Sequence, residues 1–443
     1  MNKKIIEIVS SDAKIILKEN KSFCAAPWIH THIWPDGRVF PCCMSEYHAV
    51  VGNMNNAESF MQIWNNKNYK NLRKDMIEGN SRSDICNRCY EQEKYSITSL
   101  REKLTQEFWK ELVEQLKNTQ DDFSAELKIP YWDYRFNNIC NFSCRTCGPD
   151  LSSSWYQDHV TMYGKAPKYA TTKFVVFDAN KEHSVHEELI ESQIDYVKEI
   201  YFAGGEPILM PEHLDVIQRL INKNKTDVLI RYSTNLSVLS YKGANFLDLW
   251  PKFKRVMIYI SLDEIQDRAE YWRNGTNWNR LEKNIKSVIE LERNYSNIKV
   301  GYVPTVSIFN MHRLDECVKY LIDNKLIDVY SLFVYNILQG AIEFNIKNAP
   351  IELKDMANES LERLKTITKE WPRHIHDITN VQNWLNQPVG DESIFAQTAK
   401  HLAEIDKIRN QNLKTVAPEL YDIYRKYGYD ESYDNFTPCQ SIS

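Results

Sequence analysis

The strongest constraint on the fold is a regular alternation of strand-like and helix-like segments that begins near residue 128. Strand-like runs such as YWDYRF (131–136) and RVMIYI (255–260) are rich in aromatic and β-branched residues, and helical stretches separate them. Strands joined through helices pair in parallel, because only a long crossover returns the chain to the same edge of a sheet. Six such strands, spread over roughly 210 residues, predict an α/β fold built on a partial, open (β/α)6 TIM-like barrel.

The regions on either side of the barrel differ from it in pattern. Before it, FCAAPWIHTHIWPDGRVFPCC (23–43) places two alternating runs around a Pro-Asp-Gly turn, which predicts a β-hairpin. An amphipathic helix should follow and end at Gly79. We therefore expect a small cysteine-rich domain of hairpin and helix over 1–100, the barrel over 128–345 and a mainly helical C-terminal extension over 346–443, in which we find no chemistry.

Composition narrows the classes of function. The chain has 443 residues, of which 43% are hydrophobic and 26% charged, as in ordinary soluble globular proteins. A formal net charge of −5 does not indicate a nucleic-acid partner. The apolar run at the N-terminus is interrupted at Glu7 and Asp12, and no run is long enough to span a membrane. We expect a cytoplasmic protein, and in a reducing compartment clustered cysteines bind metal more often than they form disulfides.

Three cysteines follow the first predicted barrel strand in the spacing C-x3-C-x2-C: Cys140, Cys144 and Cys147. This position places their thiolates at the carboxyl ends of the strands, where α/β proteins carry their active sites. Zinc and the common iron–sulfur clusters take four protein ligands, so one position is open. The alternatives are a zinc knuckle or three buried cysteines. The next strand ends in YFAGGEP, where Gly204 and Gly205 would allow a ligand close to the backbone and Glu206 could bind an ammonium group.

Together, the cysteine loop and GGEP resemble the radical S-adenosylmethionine (SAM) enzymes, over about residues 128–340. The resemblance implies that Cys140, Cys144 and Cys147 hold a [4Fe–4S] cluster whose fourth iron binds SAM, and that the reduced cluster cleaves SAM to a 5′-deoxyadenosyl radical. It also implies that Gly205 and Glu206 bind the methionine amino group. The later strand ends YSTN, SLDE and YWRNGTNW fit the same pattern. The SAM contacts implied in this way are Gly204, Gly205, Glu206, Pro207, Ser233, Asn235, Ser261, Asp263 and Arg273.

Two of these contacts carry specific expectations. Ser261 and Asp263 should bind the ribose side of SAM, and Arg273 resembles the arginine that the family places near the SAM carboxylate. The strand end YVPTVSIFN (302–310) should help to hold the adenine. One departure from the family pattern is Thr146, which stands where an aromatic residue usually precedes the third cysteine. An adenine contact from that side chain is therefore not expected.

A second group of cysteines lies near the N-terminus. Cys24 is followed by Gly37, Cys42 and the pair Cys86-x2-Cys89, so a hairpin and a helix can bring four thiolates to one site. This order resembles the twitch domain, the half-size form of the SPASM auxiliary-cluster domain, although it precedes the barrel here and follows it in most relatives. The resemblance implies an auxiliary [4Fe–4S] cluster on Cys24, Cys42, Cys86 and Cys89. A four-cysteine zinc ribbon is the alternative, and Cys43 could replace Cys42 as a ligand.

The remaining candidates are weaker. His30 and His32 alternate along the hairpin and should point to one face, where they could line a substrate pocket or contact a cluster. Cys317 lies in an apolar helical run and is expected in the core, and Cys439 should be unligated. Few residues precede Cys24, which argues against a leader-peptide recognition domain.

The functional expectation is a radical SAM oxidoreductase with a twitch domain. A fully cysteine-ligated auxiliary cluster favours electron transfer from a substrate radical, and hence an oxidised product. The substrate should be a small polyol or sugar-like metabolite or a peptide side chain, and the electron donor a flavodoxin or ferredoxin. The alternative from another class is a zinc-tied, non-catalytic binding protein on a degraded barrel.

Overall fold

The computed structural model describes residues 3–94, 97–168, 173–175, 185–339, 341–388 and 391–430. Nine strands form its main sheet, in the order β9-β8-β7-β6-β5-β4-β1-β2-β3. These strands are β1 (His30–Ile33), β2 (Arg38–Phe40), β3 (Gly52–Asn53), β4 (Tyr131–Tyr134), β5 (Glu199–Phe202), β6 (Leu229–Thr234), β7 (Arg255–Ile260), β8 (Ile298–Tyr302) and β9 (Leu332–Phe333). The predicted mixed α/β fold, with six barrel strands (β4 to β9), a small N-terminal cysteine-rich part and a helical C-terminal part, is confirmed.

The chain divides into two compact units. The first comprises residues 1–138, 175–232 and 252–256, and the second comprises 139–174, 233–251 and 257–443. The division into domains at 1–100, 128–345 and 346–443 stays a prediction.

In the first unit, the N-terminal hairpin continues the barrel sheet. The predicted Pro-Asp-Gly turn is confirmed, since β1 and β2 pair antiparallel and the Gly37 amide donates to the Trp34 carbonyl at 2.9 Å. Gly37 has φ +84°, a left-handed conformation that glycine adopts without steric cost. Strand β1 also pairs in parallel with β4, with His30 opposite Tyr131 and His32 opposite Asp133. The small N-terminal part thus joins the first barrel strand through backbone hydrogen bonds.

The two faces of this sheet differ in polarity. Parallel register places His32, Asp133, Tyr201 and Arg231 in one row across four neighbouring strands, and neighbours in register point to the same face. The next row, on the opposite face, contains Thr31, Trp132, Ile200 and Ile230, and the last three are buried apolar side chains. The polar row is half-buried at Tyr201 and Arg231, so this face reaches solvent.

Helices surround the sheet of the first unit. The predicted amphipathic helix ends at Gly79 as expected, with Gly79 in the left-handed conformation that closes helices. It is however two helices, because the Asn66 side chain accepts a hydrogen bond from the Tyr69 amide and starts a new helix there. The helices of this unit are Lys3–Val9, Ala13–Glu19, Ala26–Ile29, Phe60–Trp64, Lys67–Glu78, Ser83–Lys94, Leu100–Glu107, Trp109–Asn118, Val185–Gln193 and Pro211–Asn222.

In the second unit, β8 pairs in parallel with β9. Leu332–Phe333 pair with β8, whereas Asn336–Ile337 pair with Thr305–Val306 in a separate ladder. One continuous strand cannot follow both partners. The helices of this unit are Tyr156–Tyr163, Phe246–Leu249, Gln266–Trp272, Trp278–Asn294, Leu314–Asp323, Ile351–Ile367, Pro372–Leu385, Glu392–Arg409, Leu413–Val416 and Pro418–Lys426. Cys317 is buried in one of them, and Cys439 lies outside the described residues.

Within the described ranges, no helix combines the length and the apolar character needed to cross a bilayer.

Candidate functional site

Four cysteines of the first unit line one cavity: Cys24, Cys42, Cys86 and Cys89. The pair Cys86 and Cys89 lies on the helix Ser83–Lys94, where a spacing of three residues places both thiols on one face. Cys24 lies two residues before the short helix Ala26–Ile29, and Cys42 follows β2. The hairpin and the helix therefore bring together the four cysteines predicted from the sequence, in surroundings that are otherwise apolar apart from Arg101.

The cavity favours thiolates only once a metal cluster is bound. Burial raises the pKa of Cys24 to about 12 and also raises that of Cys89. Two backbone hydrogen bonds act against this rise in pKa at Cys89. The thiol accepts from the N–H groups of Leu100 and Arg101, at the start of the helix Leu100–Glu107. The Arg101 guanidinium is 2% exposed and is fixed by two bonds to Glu93, at 2.8 and 2.7 Å. A positive group and a helix N-terminus thus accompany the four thiols, and both suit an anionic cluster.

The structure distinguishes Cys42 from its neighbour Cys43. Cys42 lines the cavity and is influenced electrostatically by the other three cysteines there. Cys43 does not line it, and the strongest charges near its thiol are Asp133 and Arg135 on the sheet. This placement favours Cys42 as the fourth ligand.

The three-cysteine loop belongs to the second unit. Ser143–Cys144 pair antiparallel with Arg273–Asn274, and the Cys147 amide donates to the Cys144 carbonyl at 3.0 Å. The Cys140 carbonyl accepts hydroxyl bonds from Ser153 and Ser154 at 3.2 and 2.8 Å. Burial raises the pKa of Cys147 to about 12 and also raises that of Cys144. The loop is therefore fixed by its backbone, while its thiols require a metal to ionise at neutral pH.

Arg273 lies beside this loop, opposite Cys144 in the short antiparallel ladder. Its Nη1 donates to Asp263 Oδ2 at 2.8 Å, and Asp263 Oδ1 accepts the Thr305 amide at 2.7 Å. Although burial opposes its charge, the Cys144 thiol and the Asp263 carboxylate raise the pKa of Arg273 above its ordinary value. The buried Nε of Arg273 has no hydrogen-bond partner among the described residues. A buried, unpaired N–H costs free energy unless a ligand accepts from it, so an anionic ligand beside Cys144 fits this position.

Asn235 is a second predicted residue that reaches the loop. Its Nδ2 donates to Asn141 Oδ1 at 3.0 Å and lies 3.9 Å from Cys140 Sγ. Asn141 is held further by Ser237, whose hydroxyl lies 3.2 Å from Asn141 Oδ1. Asn235 thus positions the loop that carries the first cysteine. The Ser261 amide donates to the Thr234 carbonyl at 2.9 Å, and the side chains of Ser233 and Ser261 are half-buried at their strand ends.

The GGEP segment belongs to the first unit. Gly204 has φ +111°, and a Cβ there would lie 3.2 Å from the Arg135 side chain, so glycine suits both conformation and space. Gly205 follows on the same turn. Glu206 is fully buried, accepts the Ile208 amide at 3.2 Å and starts the 3₁₀ turn Pro207–Leu209.

Both histidines of the hairpin are buried and lie on the polar face of the first unit. The Trp34 indole can only donate, and it does so to His32 Nε2 at 2.7 Å, so the proton of His32 is on Nδ1. That Nδ1 lies 2.9 Å from Asp133 Oδ2. Burial opposes ionisation of Asp133, but His32 and Arg135 outweigh it and lower the pKa of this carboxyl. Burial lowers the pKa of His30 to about 4, so His30 is a neutral imidazole at pH 7.

Sequence reasoning missed several residues around the loop. Gly275 has φ +103°, and a Cβ there would lie 2.6 Å from the Asn141 carbonyl oxygen. Arg145, between the second and third cysteines, is 1% exposed and bonds to Asp406 in the C-terminal part. The glycine in YWRNGTNW and the arginine inside the cysteine array are both visible in the sequence. Neither position indicates which distant residue it contacts. Thr146, where the family pattern has an aromatic residue, is half-buried.

Among the described residues, no three His, Cys, Asp or Glu side chains are close enough to hold a single metal ion.

Comparison with known proteins identifies two segments. Residues 134–320 match the model of the radical SAM superfamily, and residues 24–90 match that of SPASM, an iron–sulfur cluster-binding domain. GTP 3′,8-cyclase of Aliarcobacter butzleri (strain RM4018) is 25% identical over 179 residues, which are 40% of this chain and 47% of that protein. The chain thus spans about half the length of the curated relative that it matches.

Among solved structures, native anSMEcpe with bound AdoMet is 15% identical, with a match that covers 53% of this chain and 58% of that chain and a TM-score of 0.35. TYW1 with a lysine-pyruvate adduct bound is 16% identical, covers 52% of this chain and 71% of its own, and has a TM-score of 0.27. The two family models assign a radical SAM segment to residues 134–320 and a SPASM-type segment to residues 24–90. The cofactors of the chain are SAM, a SAM-binding [4Fe–4S] cluster and an auxiliary iron–sulfur cluster.

Proposed function

We propose that this radical SAM protein oxidises a polar substrate, with Cys140, Cys144 and Cys147 holding the SAM-binding cluster and Cys24, Cys42, Cys86 and Cys89 the auxiliary one. When bound, the cluster held by Cys140, Cys144 and Cys147 would supply the electron for reductive cleavage of SAM and so for hydrogen abstraction from the substrate. The cluster held by Cys24, Cys42, Cys86 and Cys89 would accept the electron that the substrate radical gives up, with the accompanying proton passing to solvent. The observation that supports this most is the pairing of two unequal sites, a three-thiol loop beside a cation and a four-thiol cavity.

In this proposal, each residue that contacts SAM binds a different part of it. Arg273 donates its unpaired Nε–H to the SAM carboxylate, and its bond to Asp263 holds it in place. Glu206 accepts from the methionine amino group, and Gly204 and Gly205 keep the backbone open to it. Ser261 and Asp263 bind the ribose side of SAM. Ser233 and Asn235 line the neighbouring strand end. Pro207 fixes the turn after Glu206.

The polar row on the first unit's sheet supports a hydroxyl-bearing substrate. His32 Nδ1 and Asp133 Oδ2 lie 2.9 Å apart, and Tyr201 and Arg231 in the same row are partly exposed to solvent. Hydroxyl groups can both donate and accept, so they suit a face that mixes carboxylate, imidazole, phenol and guanidinium groups. We therefore favour a small polyol or sugar-like metabolite over a peptide side chain. A flavodoxin or ferredoxin is the proposed electron donor, and the cytoplasm the proposed location.

The test is anaerobic reconstitution followed by iron and product analysis. The wild-type chain should hold about eight irons, from two cubane clusters, and form 5′-deoxyadenosine from SAM and a reductant. Replacing Cys140, Cys144 and Cys147 by Ala should leave about four irons and stop 5′-deoxyadenosine formation. Stoichiometric zinc without iron would establish the zinc-tied binding protein instead, and continued SAM cleavage by the triple variant would refute the ligand assignment.

The substrate class is tested separately. Polyols and aminocyclitols should stimulate 5′-deoxyadenosine formation above its rate without substrate, whereas peptides with Cys or Ser side chains should not. Stimulation by the peptides alone would overturn the choice of a polyol.

A further inference from the structure

The C-terminal extension contacts the cysteine loop directly, although its sequence pattern indicated no chemistry there. The contacts come from the last turn of the helix Glu392–Arg409 and from the residues just after it. The loop and this helix belong to the same compact unit.

The centre of the contact is a buried ion pair. Arg145, which lies between Cys144 and Cys147, donates from Nη2 to Asp406 Oδ1 at 2.5 Å. Both side chains are nearly inaccessible, at 1% and 3% exposure. The same Nη2 lies 2.7 Å from Gln411 Oε1, just beyond the end of the helix. Arg145 Nε donates to the Tyr271 carbonyl at 3.1 Å, whereas Nη1 is buried without a hydrogen-bond partner among the described residues. Burying a charge pair costs less free energy when its other polar atoms are bonded.

Asp406 meets that condition through three further donors. The Tyr271 hydroxyl lies 2.9 and 2.8 Å from its two oxygens, and the Tyr429 hydroxyl donates to Oδ2 at 2.6 Å. The Leu413 amide donates to Oδ2 at 3.0 Å. Arg145 is also stacked over the Tyr271 ring, 3.8 Å from its centre. One carboxylate thus joins the cysteine loop, the segment before Arg273 and the C-terminal helices.

A second set of contacts reaches the loop from the same helical turn. Arg409 donates twice to Asp158 Oδ2, at 2.9 and 2.7 Å, and lies 4.6 Å from the centre of the Trp155 ring. The Trp155 indole in turn donates to the Cys144 carbonyl at 2.9 Å. Ile405 packs in the apolar cluster that contains Trp155 and Cys147. Charged and apolar contacts therefore converge on two of the three cysteines.

We propose that the last turn of Glu392–Arg409 acts as a clamp that holds the three-cysteine loop in its cluster-binding geometry, with Asp406 as the central positioning residue. Asp406 touches neither substrate nor cofactor and acts through Arg145. The inference rests on the proposed assignment of a cluster to Cys140, Cys144 and Cys147. It gives the C-terminal extension a role in retaining that cluster.

The experiment compares cluster retention in two backgrounds of the full chain. One background lacks the auxiliary ligands (Cys86→Ala and Cys89→Ala), and the other lacks the loop ligands (Cys140→Ala, Cys144→Ala and Cys147→Ala). Into each we introduce Asp406→Asn, which keeps the shape but removes the charge, or the control Glu404→Gln, which removes a carboxylate from the same helix. Iron loss to a chelator is followed after anaerobic reconstitution.

Asp406→Asn should speed iron loss about tenfold in the first background, because a buried charged bond to Arg145 is lost, and should leave the second background unchanged. Glu404→Gln should change neither. Equally faster iron loss in both backgrounds would mean that the substitution destabilises the whole chain. Unchanged iron loss in both would mean that Asp406 does not hold the loop. Either result overturns the proposal. Because iron is the readout, a wild-type chain that binds iron but fails to cleave SAM would refute the proposed function and not the clamp.

Discussion

Gly275 is the residue whose replacement tests the geometry of the cysteine loop most directly. It follows the two residues that pair with Ser143–Cys144, and a Cβ on it would lie 2.6 Å from the Asn141 carbonyl oxygen and 3.1 Å from the Phe142 ring. Real Cβ atoms do not approach a backbone oxygen so closely, so the loop that carries Cys140 and Cys144 must move in Gly275→Ala.

The free-energy cost of Gly275→Ala has two parts. Forcing alanine to φ +103° costs about 1–2 kcal/mol, as for other left-handed residues. Overpacking against a fixed backbone adds about 1–3 kcal/mol. Gly243 in the same unit is the matched control, because it has φ +82° and nothing within 4 Å of a Cβ, so Gly243→Ala carries the first cost alone.

The assay follows iron retained by the three-cysteine site in the Cys86→Ala, Cys89→Ala background, together with thermal unfolding. The difference of about 1–3 kcal/mol predicts that Gly275→Ala weakens cluster retention at least about fivefold relative to Gly243→Ala. Equal iron retention by the two variants would refute the reasoning, because it would show that the strand after Trp272 does not set the geometry of the loop.

Three further predictions concern single side chains. Cys42→Ala should abolish the auxiliary cluster and leave about four irons per chain, while Cys43→Ala should keep about eight, as measured by iron analysis; the reverse pattern would reassign the ligand. Arg101→Gln should lower the midpoint potential of the auxiliary cluster by tens of millivolts, because a buried positive charge that favours the reduced form is lost, whereas the exposed Lys103→Gln on the same helix should not, as read by redox titration. Burial raises the pKa of Glu264 from 4.5 to about 7, so the folded state binds this proton more tightly and its stabilising effect is lost as pH rises through that range. Between pH 5 and 8 the wild-type apoprotein should lose about 2.5 kcal/mol relative to Glu264→Gln in urea unfolding, and parallel pH profiles would contradict this.

The barrel and the two cysteine groups could be predicted because their signals are local. Alternating strands and helices, the spacing of Cys140, Cys144 and Cys147, and the Pro-Asp-Gly turn before Arg38 each lie within a few residues. The helix break at Asn66 was missed because the capping side chain interrupts the helix itself, while the spacing of apolar residues along the sequence continues across it.

The choice between Cys42 and Cys43 needed the tertiary structure. Adjacent residues have nearly identical sequence contexts, and only the turn after β2 decides which thiol enters the cavity and which lies near Asp133. The same holds for Arg101, whose place beside the four cysteines depends on how the helix Leu100–Glu107 packs.

The sequence by itself predicted the chemistry that we propose for this protein: three thiols with an open position, four thiols that complete a site, and a parallel sheet. Only the tertiary structure decided what holds those thiols. Arg145 and Asp406 are 261 residues apart, and their bond exists because the final helices pack on the cysteine loop within one unit. The spacing of the cysteines can be read from the order of residues. The burial that gives the Asp406 carboxylate its proposed role arises only when the chain has folded.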